Sequence, residues 1–129
     1  MLVIEDDLES GVALAALLEV WGHEARVRAE PSRAIAEASV WQPEAVILDL
    51  GLPETDGCEV ARQVRCLPAG DDCFIIALTG FASPDDRRRA LQAGCDRFLA
   101  KPTDLDELRT LLSNARDPST GRRREERQS

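Results

Sequence analysis

The chain has 129 residues, of which 24 are acidic and 16 are basic, giving a formal net charge of -8 at pH 7. That length suits a single domain whose core needs no disulfide or metal, and the negative charge argues against a nucleic-acid surface and an anionic membrane surface. No apolar run approaches bilayer-spanning length and no secretory leader is recognisable, so the sequence predicts a soluble, cytoplasmic protein whose natural partner is a cation or a basic protein patch.

The first half of the chain alternates short β-rich runs with helical patterns. Val12, Leu14, Leu17, Leu18 and Trp21 recur near helical spacing, and Gly22 is placed to end that helix. The predicted elements are a strand at 2–4 followed by three acids, a helix ending at Gly22, a weaker strand at 24–29, a helix from Pro31 to Trp41, and an apolar strand at 45–48 that ends on Asp49.

The second half continues the same alternation. Ser83 and Pro84 predict a helix start, because a hydroxyl can cap the first amides and proline needs no amide hydrogen there. The predicted elements are a helix at 59–67, a strand at 73–78, a helix from Ser83 to about Ala93, a strand at 97–100, and a last helix from Thr103 with Leu105, Leu108, Leu111 and Leu112 as its apolar stripe.

Five strand–helix units predict an α/β fold with a five-stranded parallel, doubly wound sheet covered by helices on both faces. We expect residues 1–115 to form this domain. Beyond Asn114 the composition shifts, and the segment Asp117–Gly121 leads into the charged run Arg122–Arg127, which predicts a disordered tail or linker at 116–129, or a basic arm as the alternative.

The ends of the predicted strands carry the candidate functional residues. In a doubly wound sheet, ligands bind beyond the carboxyl ends of the strands. The first strand ends in Glu5 and Asp6, the third in Asp49, the fourth in Thr79, and the fifth in Lys101. Clustered carboxylates are costly without a positive charge among them, and Mg²⁺ prefers carboxylate oxygens, so the pattern predicts a magnesium site.

A carboxylate fixed beside such a metal can also act as a nucleophile toward phosphorus and form an aspartyl phosphate. A hydroxyl and an ammonium that reach the phosphoryl oxygens supply the charge neutralisation that this chemistry needs. Asp49 would therefore end a buried strand because its position has to be rigid.

In this order and spacing, the motifs resemble the receiver domain of two-component response regulators from Met1 to Leu112. They are Val3–Asp7, Ile47–Pro53 with Asp56–Gly57, Ala77–Gly80, and Lys101–Pro102. The resemblance implies the flavodoxin-like strand order 2-1-3-4-5. The segments around Asp49 and Thr79 also resemble receivers of hybrid sensor kinases, and an excised domain and a single-domain regulator fit equally well.

The resemblance also implies roles for individual residues. Asp49 would be the phosphoacceptor, and Mg²⁺ would be held by Glu5, Asp6, Asp49 and the backbone carbonyl of Gly51. Thr79 and Lys101 would contact the phosphoryl group, Thr79 and Phe98 would act as the switch, and the bond before Pro102 would be cis. The implied phosphodonor is a histidine kinase or histidine phosphotransfer protein.

The implied output is a downstream protein that reads the face formed by the fourth helix, fifth strand and fifth helix, and we expect a monomer or weak dimer.

Some positions depart from the commonest pattern. Glu5 stands where many receivers have Asp, and Phe98 stands where many have Tyr. Gly51 and Phe81 occupy positions that usually tune dephosphorylation, and neither side chain can orient a water molecule.

Two other functions compete with the phosphorylation switch. An aspartate-nucleophile phosphatase of the haloacid dehalogenase type would want a second acid two positions after the nucleophile, where this chain has Gly51. A receiver-like dimerisation module that is never phosphorylated would not need the five site residues together. The four cysteines lack paired CxxC spacing, which favours free thiols over zinc ligands or disulfides.

Overall fold

The computed structural model describes residues 1–51, 56–80 and 83–115. The described strands are β1 (Leu2–Ile4), β2 (Arg26–Arg28), β3 (Ala45–Asp49), β4 (Phe74–Thr79) and β5 (Arg97–Ala100). The described α-helices are α1 (Leu8–Val20), α2 (Pro31–Trp41), α3 (Gly57–Arg65), α4 (Pro84–Gln92) and α5 (Leu105–Ala115), and a short 3-10 helix covers Gly70–Asp72.

All strand pairs are parallel and the order is β2-β1-β3-β4-β5, which confirms the predicted fold class. Successive side chains of a strand point to opposite faces of the sheet. An apolar strand such as Val46–Leu48 therefore contributes side chains to two hydrophobic cores, one on each face. Leu48 packs with buried residues of α2, α3 and α4, whereas its neighbour Ile47 packs with Leu18 of α1 and Leu108 of α5. The helices therefore cover both faces.

Local signals set the ends of several helices. The Asp56 side chain accepts a hydrogen bond from the amide of Cys58 at 2.9 Å and caps α3, and Ser83 caps α4 through the amide of Asp86. Gly22 and Gly94 follow α1 and α4 with φ of 95° and 110°, a left-handed conformation that glycine adopts at little cost.

The structure differs from the sequence-based expectations in a few places. Helix α3 begins two residues earlier than expected, because Asp56 caps it, and β2 keeps only three of the six predicted residues. Val12 and Leu105, which we placed on apolar stripes, are 53% and 48% exposed. The predicted tail at 116–129, the Leu52–Pro53 part of the receiver motif and Phe81 lie outside the described residues.

A nearly buried ion pair, which the sequence analysis missed, closes the end of the sheet opposite to Asp49. Arg65, at the end of α3, donates to Asp96 Oδ2 at 2.6 Å and to the carbonyls of Gly70, Cys73 and Gly94. Asp96 Oδ2 also accepts from the amide of Ile75 at 2.8 Å. One guanidinium group thus joins α3, the start of β4 and the turn before β5.

Candidate phosphoryl-transfer and metal site

The parallel sheet brings four strand ends to one edge. Glu5 follows β1, Asp49 is the last residue of β3, Thr79 is the last of β4, and Lys101 follows β5. Glu5, Asp49 and Thr79 are only 5–6% exposed, whereas Asp6 is exposed. The sequence analysis expected this convergence, since strands aligned in parallel place their carboxyl ends together.

Three carboxylates meet at this edge. One oxygen from each of Glu5, Asp6 and Asp49 lies within 4.8 Å of the other two, and this is the one such acidic group in the described part of the chain. Hard oxygen donors at this spacing fit a divalent cation such as Mg²⁺ or Ca²⁺. The residues therefore fit the metal that the sequence predicted.

Lys101 provides the positive charge nearest these acids. Its Nζ lies 3.0 Å from Asp49 Oδ2 and 3.5 Å from Glu5 Oε2. Its backbone amide donates to the carbonyl of Thr79 at 2.7 Å, and the Lys101–Pro102 peptide bond is cis. Burial alone would lower the pKa of Lys101, but the hydrogen bond and negative charge of Asp49 raise it above its usual value, so the group stays cationic.

The two oxygens of Asp49 have different partners. Oδ1 accepts from the backbone amide of Gly51 at 2.8 Å, while Oδ2 faces Lys101. The following amide, of Leu50, donates to the carbonyl of Leu78 at 2.8 Å and so ties the loop to β4. These contacts fix the orientation of the carboxylate.

Glu5 and Asp49 differ in how readily they ionise. Burial and the adjacent Asp49 raise the pKa of Glu5 from 4.5 to about 7. Burial would also raise the pKa of Asp49. Three hydrogen bonds outweigh that effect and lower the pKa of Asp49 below its usual value; they come from Glu5, from the Gly51 amide and from Lys101. Asp49 is therefore the member of the pair that ionises more readily, and a proton kept by the pair resides on Glu5.

Two cavities border the cluster. One of about 430 Å³ lies between α1 and α5 and is lined by Glu5 and Lys101 together with apolar residues such as Leu14, Leu17 and Leu78. The other, of about 170 Å³, lies between α3 and α4 and is lined by Gly51, Thr79, Asp56 and Arg89. Asp56 and Arg89 are site-adjacent residues that the sequence analysis did not assign to the site.

Phe98 is not part of the cluster itself. It lies on β5 in register with Ala77 and packs, half-buried, against the core that α2, α3 and α4 cover. Asp7, the third acid after β1, is exposed and accepts from the hydroxyl of Ser10 at 2.5 Å.

Known proteins match this chain in sequence and in fold. A family model described as the response regulator receiver domain matches residues 1–113. Response regulator MprA of Mycolicibacterium vanbaalenii is 36% identical over 108 residues, which make up 84% of this chain and 46% of MprA. The chain thus spans about half the length of that relative.

Two solved structures are informative. The receiver domain of sensor histidine kinase PA1611 from Pseudomonas aeruginosa, with a magnesium ion coordinated in its active site cleft, matches with a TM-score of 0.79 at 33% identity and covers 88% of this chain and 93% of that one. A Burkholderia pseudomallei response regulator protein with a phosphorylated aspartic acid and a calcium ion matches with a TM-score of 0.78 at 30% identity, over 88% and 66% of the two chains.

This chain belongs to the response regulator receiver domain family of two-component signalling. The resemblance seen in the sequence is confirmed, and so is the strand order that it implied. No helix in the described ranges has both the length and the apolar character needed to cross a membrane.

Proposed function

We propose that this domain is a signalling switch that accepts a phosphoryl group on Asp49 from a histidine kinase or histidine phosphotransfer protein. The observation that carries the proposal is the pairing of Lys101 Nζ with Asp49 Oδ2 at 3.0 Å, inside a group of three carboxylates. An ionised, oriented carboxylate beside a cation is what nucleophilic attack on phosphorus requires.

Mg²⁺ is the proposed cofactor, held by Glu5, Asp6, Asp49 and the carbonyl of Gly51. When bound, it would neutralise charge on the transferring phosphoryl group. The chain itself contributes the rest: the Gly51 amide orients Asp49, Lys101 offers an ammonium to the phosphoryl oxygens, and Thr79 offers a hydroxyl from the end of β4.

In the proposed transfer, an Asp49 oxygen forms a bond to phosphorus as the bond from phosphorus to the donor histidine nitrogen breaks. The donor histidine keeps that electron pair and, once it is protonated, is left neutral.

We place the response in Thr79 and Phe98, which lie on adjacent strands next to α4. A shift of either side chain would alter the surface made by α4, β5 and α5, which a downstream protein would read.

The phosphodonor would approach from the exposed edge of the sheet. The 430 Å³ cavity between α1 and α5 opens beside Lys101 and is mostly apolar, and Leu8 and Val12 of α1 are exposed to 65% and 53%. Exposed acids Asp6, Asp7 and Glu9 surround the start of α1. A donor with an apolar contact surface and basic flanks fits this face.

The experiment is incubation with acetyl phosphate and Mg²⁺, followed by intact-mass measurement. We expect one phosphoryl group per chain, no labelling of Asp49→Asn, and normal labelling of the control Asp7→Asn, whose carboxylate lies outside the cluster. Continuous release of inorganic phosphate from acetyl phosphate, without stable labelling of the chain, would instead indicate the phosphatase. Absence of labelling in the wild-type protein would support the unphosphorylated module.

A further inference from the structure

An ion pair between α4 and the start of α3 lies next to the site. Arg89 Nη2 donates to Asp56 Oδ2 at 3.1 Å, while the other oxygen of Asp56 caps α3 through the amide of Cys58. The side chains of Arg89 and Asp56 are 57% and 49% exposed. Such a pair is weak and can exchange partners, because water solvates both charges when they separate.

Arg89 shares a cavity with the proposed phosphoryl site. The 170 Å³ cavity that Arg89 and Asp56 border is also bordered by Thr79 and by Gly51, whose amide holds Asp49. Arg89 is the one cation among the described residues that line it. The guanidinium group of Arg89 therefore borders the same cavity as Thr79 and as Gly51, the residue whose amide donates to Asp49.

Phosphorylation would change the charge at this edge. Asp49 carries about one negative charge before transfer, and a phosphoryl group brings the side chain to about two. Lys101 already pairs with both Asp49 and Glu5. The proposed Mg²⁺ would be shared with three carboxylates, so a further cation beside the phosphoryl group would still be stabilising, and planar arginine groups bind phosphoryl oxygens in a bidentate manner.

We propose that Arg89 exchanges Asp56 for the phosphoryl oxygens on Asp49, so that this ion pair acts as a latch that phosphorylation releases. The inference rests on the proposed function of Asp49. Asp56 remains solvated and keeps capping α3 after the exchange. Asp86, on the preceding turn of α4, is the other acid among the described residues that border the cavity.

The exchange would couple the chemistry to α4. Before phosphorylation, Arg89 ties α4 to the α3 cap at Asp56. Afterwards it would tie α4 to Asp49 at the end of β3, which draws the helix toward the sheet edge. This movement would add to any change at Thr79, because Thr79 lines the same cavity.

The test measures the affinity of the protein for beryllofluoride, an anionic phosphoryl mimic, in the presence of Mg²⁺. Arg89→Gln should weaken binding by a few-fold to about tenfold, since it removes a charge-assisted contact. Asp56→Asn should strengthen it by a few-fold, because asparagine still caps the helix but no longer holds Arg89. Arg89→Lys should fall between wild type and Arg89→Gln.

The opposite signs of the two variants distinguish a latch from a structural ion pair. If the pair only holds the fold together, both variants weaken binding or neither changes it, and the inference is overturned while the function of Asp49 stands. If the wild-type protein is neither labelled by acetyl phosphate nor bound by beryllofluoride, the proposed function fails first. Asp56→Ser, which also retains a cap, replaces Asp56→Asn if that variant unfolds.

Discussion

Lys101 Nζ lies 3.0 Å from Asp49 Oδ2 across a sheet edge that also carries Glu5 and Asp6. The ammonium group partly neutralises the acids, and in the proposed transfer it would contact the phosphoryl oxygens. One side chain is thus expected to oppose metal binding slightly and to favour phosphoryl transfer strongly.

Replacing Lys101 should separate these two effects. Lys101→Ala should bind Mg²⁺ a few-fold more tightly, because a competing positive charge is gone, yet be phosphorylated by acetyl phosphate at least about tenfold more slowly. Titration calorimetry measures the first quantity and the rate of mass gain measures the second. Lys101→Arg is the matched control, and a rate for Lys101→Ala equal to wild type would exclude a role for this ammonium in transfer.

The stability of the metal-free protein should depend on Glu5 between pH 4.5 and pH 7. The folded state raises the pKa of Glu5 from 4.5 to about 7, so folding favours the protonated form. The contribution of Glu5 to the free energy of unfolding is full below pH 4.5 and is lost as the pH rises through 7. The total change is on the order of 3 kcal/mol.

Urea unfolding of wild type and Glu5→Gln across this pH range measures that contribution. The amide variant stays uncharged, so it should be the more stable protein at pH 8 without metal, and the difference should shrink toward pH 4.5. Adding Mg²⁺ should stabilise wild type more than the variant at pH 8. A pH-independent difference between the two proteins would contradict the raised pKa.

Two glycines beside the site should respond differently to alanine. A Cβ on Gly57 would lie 2.7 Å from Leu50 Cα, which is backbone next to Asp49, whereas a Cβ on Gly80 meets no atom of the described residues within 4 Å. Gly57→Ala should therefore lower the free energy of unfolding by roughly 1–3 kcal/mol and slow phosphorylation, because Leu50 must shift. Gly80→Ala should cost much less. Equal losses in the two variants would show that the close approach at Gly57 is relieved at no cost.

The Arg65–Asp96 pair should be a major source of stability. The two side chains are 11% and 1% exposed, and Arg65→Met would leave the Asp96 carboxylate buried without the guanidinium charge that now neutralises it. We expect a loss of roughly 3–5 kcal/mol in urea unfolding, against less than about 1 kcal/mol for Arg62→Met, whose partner Glu59 is exposed. Phosphorylation of the folded fraction should be unchanged, since the pair lies at the opposite end of the sheet.

Sequence patterns predicted the parts of this structure that depend on local signals. The alternation of strands and helices, the cap at Ser83 and the acids after β1 and β3 each follow from neighbouring residues and from the geometry of parallel sheets. The early start of α3 was also readable, because Asp56 before Gly57 is a good cap, but we placed the start at Glu59 from the apolar spacing alone.

The contacts that the sequence did not predict join residues far apart in the chain. Arg65 and Asp96 are 31 positions apart, and Arg89 and Asp56 are 33 apart, so no periodicity or local motif connects them. Val12 and Leu105 show the converse problem. They match a helical stripe in spacing, but they are 53% and 48% exposed, because spacing along one helix does not show which part of its face another element covers.

The contacts of Arg65 with Asp96 and three backbone carbonyls bear on how the fold accommodates the clustered acids at the other end of the sheet. Repulsion among the carboxylates of Glu5, Asp6 and Asp49 lowers the stability of the folded state. A protein can retain such a cluster only if its other contacts are mutually consistent. The two ends of the sheet differ in this respect. The end that carries Arg65 and Asp96 is held by many mutually consistent contacts, whereas the end that carries Glu5, Asp6 and Asp49 brings like charges together. Local opening in the metal-depleted protein should begin at the loops around Glu5 and Asp49, and amides near Ile75 should be among the last to exchange with solvent.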